Sequence, residues 1–176
     1  MPRTVAKLTL LAMLLACGPF ARAAGGPLGI DHRLHYDDSG IWKRSVQNGV
    51  LGLAVTADVA FAFWEGGETR IGKTAWQSVD SLLLSTVAAN GAKLVFTRAR
   101  PTQTNDPNQW FKGGGYASFP SGEASLSATV VTPFILEYGS DHPWAYALAA
   151  IPVYDAVARV KTWGHWQSDV IAGAAI

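Results

Sequence analysis

The sequence has a single cysteine, Cys17, among its 176 residues, so no disulfide can form within the chain. Stability must therefore come from packing in any compartment. Charge is also scarce and balanced, since 14 Lys and Arg against 13 Asp and Glu give a formal net charge of +1. This balance excludes the basic surface of a nucleic-acid-binding protein and the acidic composition of a disordered chain. Any anion site must be local, built from a few cations and backbone amides.

Long uninterrupted apolar runs are missing after the first 23 residues, although a membrane-spanning helix usually needs about 18 such residues. The most apolar segment, 46–64, contains Gln47, Asn48 and Asp58. Such interruptions are typical of buried core helices. The sequence therefore predicts a soluble or peripherally attached domain rather than an integral membrane protein.

Residues 1–23 have the three-part pattern of a secretory signal peptide, with a basic start, an apolar run over 8–16 and small residues at 21–23. The segment 14–17 also fits a bacterial lipoprotein cleavage box, in which Cys17 would carry the lipid. Both alternatives predict an extracytoplasmic protein, in the bacterial periplasm, either soluble or lipid-anchored.

Residues 24–40 are rich in Gly, Pro and Asp and lack periodicity, which predicts an extended N-terminal arm. From residue 41, apolar residues recur at intervals of three and four, which predicts an all-α domain over 41–176 whose pattern is still apolar at Ile176. The helices are expected at about 41–64, 69–98, 122–139 and 143–162, with a last one opening near Gly164.

Three short motifs carry residues suited to phosphate chemistry. Ser121 and Gly122 stand where a loop turns into a helix, so free N–H groups there can bind an anion, although the same residues can serve as an ordinary N-cap. Lys93 and Arg100, with Arg98 nearby, are seven apart on one predicted helix face. Two cations at that spacing can clamp one tetrahedral anion, and they also suit a solvated helix end.

The third motif pairs an imidazole with a carboxylate. His165 and Asp169 are four residues apart, so on a helix the carboxylate lies one turn from the imidazole. It can then hold the proton of one ring nitrogen and leave the other nitrogen free as a nucleophile or base. The same spacing also occurs in surface ion pairs.

Together, Lys93-x6-Arg100-Pro101, Pro120-Ser121-Gly122 and Arg159-x5-His165-x3-Asp169 resemble the signature of the type-2 phosphatidic acid phosphatase superfamily. That superfamily also holds bacterial class A acid phosphatases and vanadium haloperoxidases. The resemblance covers residues 93–169. It implies an all-α helical bundle that hydrolyses phosphomonoesters or lipid phosphates and pyrophosphates without metal or other cofactor.

The resemblance also implies roles for individual residues. His165 is the nucleophile that forms a phosphohistidine, and Asp169 orients it. The phosphoryl oxygens are bound by the side chains of Lys93, Arg100, Arg159 and Ser121 and by the amide of Gly122.

Two positions depart from the family pattern. Ala158 stands where the family usually has serine, which removes one hydroxyl contact. Glu123 stands where the family usually has the histidine that protonates the leaving oxygen. We expect Glu123 to act as that acid, with a pKa raised by burial and by the bound phosphate. The alternatives are a homologue that binds phosphate or a phospholipid headgroup without turnover, and a vanadate haloperoxidase, which the missing histidine disfavours.

Overall fold

The computed structural model describes residues 25–176. Within that range the chain forms five α-helices and three short 3-10 helices and no β-strand, so the predicted all-α fold is confirmed. The predicted signal peptide over 1–23 and the lipidation site at Cys17 lie outside the described residues.

The five helices follow the predicted order closely. They are α1 (Arg44–Glu65), α2 (Arg70–Phe96), α3 (Gly122–Tyr138), α4 (Ala150–Lys161) and α5 (Gln167–Ala174). The 3-10 helices cover Pro27–Gly29, Gly40–Trp42 and Pro143–Ala149. The helix predicted over 143–162 is therefore divided, with Pro143 in the first turn of the 3-10 part.

The two ends of α2 are set by local chemistry. Thr69 caps the start, because its Oγ1 accepts a hydrogen bond from the Gly72 amide at 3.0 Å. Thr97 adopts a left-handed conformation with φ 32° directly after Phe96 and ends the helix there. The predicted end at residue 98 is wrong by two residues, and Arg98 and Arg100 consequently leave the helix.

Helix α3 is the centre of the bundle, since it packs against all four other helices. Its buried side chains are small: Ala124, Ser125, Ser127, Ala128, Thr129, Val130 and Val131. Small residues allow the neighbouring backbones to approach closely, as in helix packing within membranes.

Large apolar side chains point outward from α1 and α2, while their buried positions are mostly small or polar. The exposed residues include Leu53, Phe63, Trp64, Leu83, Leu84, Val87, Leu94 and Val95. Both helices are long and apolar enough to cross a membrane, and only 17% and 11% of their most apolar windows are buried. The expectation that 46–64 forms a buried core helix is therefore wrong.

A polar contact joins α1 to the rest of the bundle. Ser78 on α2 donates a hydrogen bond from Oγ to Asp58 Oδ2 at 2.7 Å. The same Oγ lies 3.2 Å from the carbonyl oxygen of Thr129 on α3. Three helices thus meet at one serine, which fixes their spacing where large apolar contacts are few.

The N-terminal arm is docked on the bundle. The indole of Trp163 donates to the Leu34 carbonyl at 2.9 Å, and the Gln167 side chain bonds both backbone groups of His32 at 3.0 and 2.8 Å. Arg33 donates to the Pro101 carbonyl and lies 4.2 Å over the Trp163 ring. The arm therefore covers the turn between α4 and α5.

Asp155 on α4 is a buried carboxylate whose Oδ2 has no hydrogen-bond partner. Burial raises the pKa of Asp155 to about 6, and the negative charge of Glu123 adds to that effect. Because this value lies above the ordinary 3.8, Asp155 stabilises the fold only while protonated. That stability is lost as the pH rises from about 4 to about 6.

We expect Asp155→Asn to increase the free energy of unfolding by about 3 kcal/mol at pH 8 and by much less at pH 4, since a pKa shift of about two units corresponds to that energy. Denaturant unfolding of both proteins at pH 4, 5, 6 and 8 measures the difference. Asp80→Asn, at an exposed position of α2, is the matched control, and its free energy of unfolding should differ little from that of the parent at every pH. A loss of stability in Asp155→Asn at pH 8 would contradict this account.

Candidate active site

A cavity of about 290 Å³ lies at one end of the bundle, where α1 and α3 begin and α2 and α4 end. Six of the eight predicted site residues line it, namely Lys93, Arg100, Gly122, Glu123, Arg159 and His165. The other two, Ser121 and Asp169, are fully buried. The structure thus brings residues from four separate segments to one place.

Four cations and one carboxylate line this cavity, because Arg44 joins Lys93, Arg100 and Arg159 opposite Glu123. Arg44 begins α1 and belongs to none of the three sequence motifs. A basic pair before an apolar helix, here Lys43 and Arg44, gives no signal that one of the two cations faces residues located much later in the chain. Sequence analysis therefore missed it.

Lys93 and Arg100 reach the cavity by different routes. Lys93 lies in the last turn of α2 and donates from Nζ to the Pro120 carbonyl at 2.8 Å. Arg100 follows the helix and donates to the carbonyls of Gly164 and Ala117 at 3.2 and 3.3 Å. The prediction that both lie on one helix face is wrong, although both line the cavity.

Two glycines lie close to cations of the cavity. A Cβ at Gly122 would lie 3.3 Å from Lys93 Nζ, a tight contact that a small shift of the lysine would relieve. A Cβ at Gly164 would lie 2.3 Å from Arg159 Nη2, which would force Arg159 out of its position. Ser121 serves as the N-cap of α3, since its Oγ accepts from the Ala124 amide at 3.3 Å.

His165 is buried, and its Nδ1 lies 2.6 Å from the Ser118 carbonyl oxygen. A carbonyl only accepts, so Nδ1 carries the proton and Nε2 keeps its lone pair. Burial lowers the pKa of His165 to about 4, which Asp169 opposes and Arg159 and Arg100 reinforce. The imidazole is therefore neutral at neutral pH, as a nucleophile must be.

Asp169 holds a different position from the one predicted. His165 comes before α5 and Asp169 lies in its first turn, so they are not stacked on one helix. The Asp169 Oδ2 lies 3.8 Å from His165 Nδ1 and accepts from Ser118 Oγ at 2.5 Å and from the Trp166 amide at 2.9 Å. The Ser118 carbonyl, and not Asp169, accepts the hydrogen bond from the imidazole N–H. No signal in the sequence points to this partner.

Arg98 stands behind this pair and is fully buried. Its Nη1 donates to Asp169 Oδ1 at 2.5 Å and its Nη2 donates to Asp31 Oδ2 at 2.6 Å. Burial alone would raise the pKa of Asp169, but the contact with His165 and the charge of Arg98 lower it below its ordinary value. Asp169 is therefore a carboxylate.

Glu123 is held by two arginines. Its Oε2 lies 2.7 Å from Arg159 Nε and 2.9 Å from Arg44 Nη1, and its Oε1 accepts from Arg44 Nη2. Burial raises the pKa of Glu123, but the Arg44 hydrogen bond and the charges of Arg159 and Arg44 outweigh it and lower the pKa. The expectation that the pKa is raised is wrong for the cavity without phosphate, where Glu123 is ionised.

We expect Glu123→Gln to bind inorganic phosphate roughly five-fold or more tightly at pH 7.5, because the internal carboxylate no longer competes for Arg159 or repels the anion. Isothermal titration calorimetry measures both affinities. Glu68→Gln is the matched control, because it makes the same change of charge at an exposed position before α2, away from the cavity. Its phosphate affinity should equal that of the parent. An unchanged or weaker affinity in Glu123→Gln would show that Glu123 does not compete with phosphate.

Comparison with known proteins places this cavity in context. The family model described as the PAP2 superfamily matches residues 74–176, which is more than half of the chain. A lipid A 1-phosphatase of Porphyromonas gingivalis is 36% identical over 89 residues, covering 49% of this chain and 18% of that protein. The chain thus spans about a fifth of the length of this relative. No solved structure gives a significant match.

Proposed function

The chain belongs to the PAP2 superfamily, and on this basis we propose that it is a metal-independent phosphatase that acts through a phosphohistidine at His165. Phosphatase activity is supported by the family and by the lipid A 1-phosphatase relative. The phosphohistidine mechanism rests on one observation, a neutral imidazole with Nε2 unprotonated on a cavity lined by four cations.

Substrate binding exchanges one anion for another. The phosphoryl oxygens lie among Lys93, Arg100 and Arg159, next to the amide of Gly122. The incoming phosphate displaces the Glu123 carboxylate from Arg159. The displaced carboxylate then stands beside a phosphate dianion, which raises its pKa and favours its protonated form. Binding thereby converts Glu123 from a counter-ion into an acid.

The transfer takes place in two balanced steps. His165 Nε2 forms a bond to phosphorus while the bond between phosphorus and the leaving oxygen breaks, and that oxygen takes the proton of Glu123. Glu123 then removes a proton from water, the water oxygen attacks the phosphohistidine, and phosphate leaves with Nε2 restored. The fixed cations stabilise the negative charge on the equatorial oxygens in both steps.

We expect the purified protein to hydrolyse a chromogenic phosphomonoester and a lipid phosphate with chelator present, faster at pH 5 than at pH 8, because the acid must be protonated. His165→Ala should abolish turnover, and Glu123→Gln should lower kcat by about 100-fold. Steady-state rates from pH 4 to 8 measure this.

His142→Ala is the matched control, since this histidine is exposed beside the 3-10 helix and away from the cavity. Turnover that survives in His165→Ala would exclude the phosphohistidine. A flat or alkaline profile would exclude Glu123 as the acid.

The ion pair between Glu123 and Arg159 favours one alternative, a protein that binds phosphate without turnover. In that case Glu123 would only balance the charge of the cavity. Saturable phosphate binding, with no hydrolysis of any ester at any pH, would support this alternative.

The outer faces of α1 and α2 support a proposal for the location of the protein and the class of its substrate. The relative and these two apolar helices indicate a membrane-associated bacterial protein. The cavity wall formed by Thr86 and Asn90 adjoins exposed Val87 and Leu94 on the same helix. A lipid phosphate can therefore place its headgroup in the cavity and its chains along α2, on the extracytoplasmic side that the predicted leader implies.

We expect the protein to stay in the membrane fraction after a carbonate wash, and Leu84→Arg with Val87→Arg to reduce that fraction strongly, because each arginine costs about 3 kcal/mol at the centre of a bilayer. Immunoblots of washed membranes measure the partition. Thr102→Arg, in an exposed loop, is the control. Full release of the parent protein by the wash would contradict membrane insertion.

A further inference from the structure

Asp31, in the N-terminal arm, is buried and contacts Ser168 in the first turn of α5, next to Asp169. Its Oδ1 accepts from the Ser168 amide at 2.7 Å, and its Oδ2 accepts from Ser168 Oγ at 2.7 Å. Gly26 makes this position possible, since a Cβ there would lie 2.2 Å from Asp31 Oδ2. The arm is therefore folded around this carboxylate.

Arg98 connects Asp31 to the active site. It holds Asp31 through Nη2 at 2.6 Å and Asp169 through Nη1 at 2.5 Å, and the side chains of all three residues are fully buried. Trp110 and the Pro107 carbonyl occupy other sides of the guanidinium. These contacts hold the guanidinium between the two carboxylates.

The charges of this cluster add up to one negative charge. Asp31 and Asp169 are carboxylates around one guanidinium, and the imidazole of His165, which contacts Asp169, is neutral at neutral pH. Charges this deeply buried interact strongly, because little solvent screens them. Asp31 thus compensates Arg98, and the negative charge left over is that of Asp169, next to the imidazole.

That negative charge matters during phosphoryl transfer. When Nε2 bonds to phosphorus, Nδ1 keeps its proton on the Ser118 carbonyl, so the ring acquires one positive charge. Arg159 and Arg100, which line the cavity together with His165, oppose that charge. An uncompensated Asp169 at 3.8 Å is the anion that stabilises it.

We infer that Asp31 is a positioning residue for the nucleophile: it neutralises Arg98, so that Asp169 keeps its charge for the imidazolium formed during transfer. The inference rests on the proposed phosphohistidine mechanism. It also gives the N-terminal arm a role in catalysis, although the arm contributes no residue to the cavity lining.

The test compares Asp31→Asn with the parent in full-length protein, using kcat, KM, and the inhibition constants of phosphate and of vanadate, which bonds to the nucleophilic nitrogen as the transition state does. We expect kcat to fall about ten-fold and vanadate to bind about ten-fold more weakly, while KM and phosphate inhibition stay within about two-fold. Only the states with a charged ring depend on Asp31.

A double variant separates charge compensation from packing. Asp31→Asn with Arg98→Met removes both charges and leaves Asp169 ionised through its contacts with His165, the Ser118 hydroxyl and the Trp166 amide. The kcat should therefore return to within about three-fold of the parent. Asp37→Asn is the matched control, because this arm carboxylate contacts Ser39 and Lys161 at the surface. If Asp31→Asn does not fold, the double variant alone decides, and a ten-fold loss of kcat in it overturns the inference.

The remaining outcomes are distinct. A parent with no turnover contradicts the proposed function itself. An active parent whose Asp31→Asn variant keeps its kcat, or loses kcat and phosphate affinity together, overturns the inference about Asp31 and leaves the proposed function intact.

Discussion

The repulsion among four cations around one cavity is the constraint on which the site depends. Arg44, Lys93, Arg100 and Arg159 come together only because anionic groups compensate them. Without substrate that group is Glu123, which holds two of the arginines. In the proposed function the phosphate takes over this role, and the Glu123 carboxylate competes with it for Arg159. On that proposal, phosphate affinity and acid catalysis both depend on one carboxylate.

Small and large side chains are also separated within the bundle. Small and polar side chains fill the space around α3, and the large apolar side chains of α1 and α2 face outward. Packing of this kind suits the membrane association proposed above, since an apolar solvent would cover the exposed Leu, Val and Trp side chains. On that proposal, the helix ends place cations at one edge of the apolar zone, where the headgroup of a lipid phosphate would bind.

Periodicity predicted the helices, and three short motifs predicted five of the residues that line the cavity, with Glu123 directly after the second motif as the sixth. The wrong predictions concerned features that depend on tertiary contacts or on which of two possible hydrogen-bond partners a group takes. The spacing of Lys93 and Arg100 could not show that Thr97 ends the helix between them. The four-residue spacing of His165 and Asp169 could not show that a backbone carbonyl, that of Ser118, accepts the hydrogen bond from the imidazole N–H. Arg44 and Asp31 belong to no motif. Only tertiary contacts bring them to the site, so their roles could not be predicted from the sequence.

The most direct measurement is a rapid-quench experiment on the parent protein during turnover, with mass spectrometry of the peptides under conditions that preserve phosphoramidates. The phosphohistidine mechanism predicts a phosphoryl group on the peptide that contains His165. This adduct should be stable to base, lost in acid and formed at least as fast as the product. Product formation at the full rate without any such adduct, or an adduct on a different residue, would contradict the phosphohistidine mechanism.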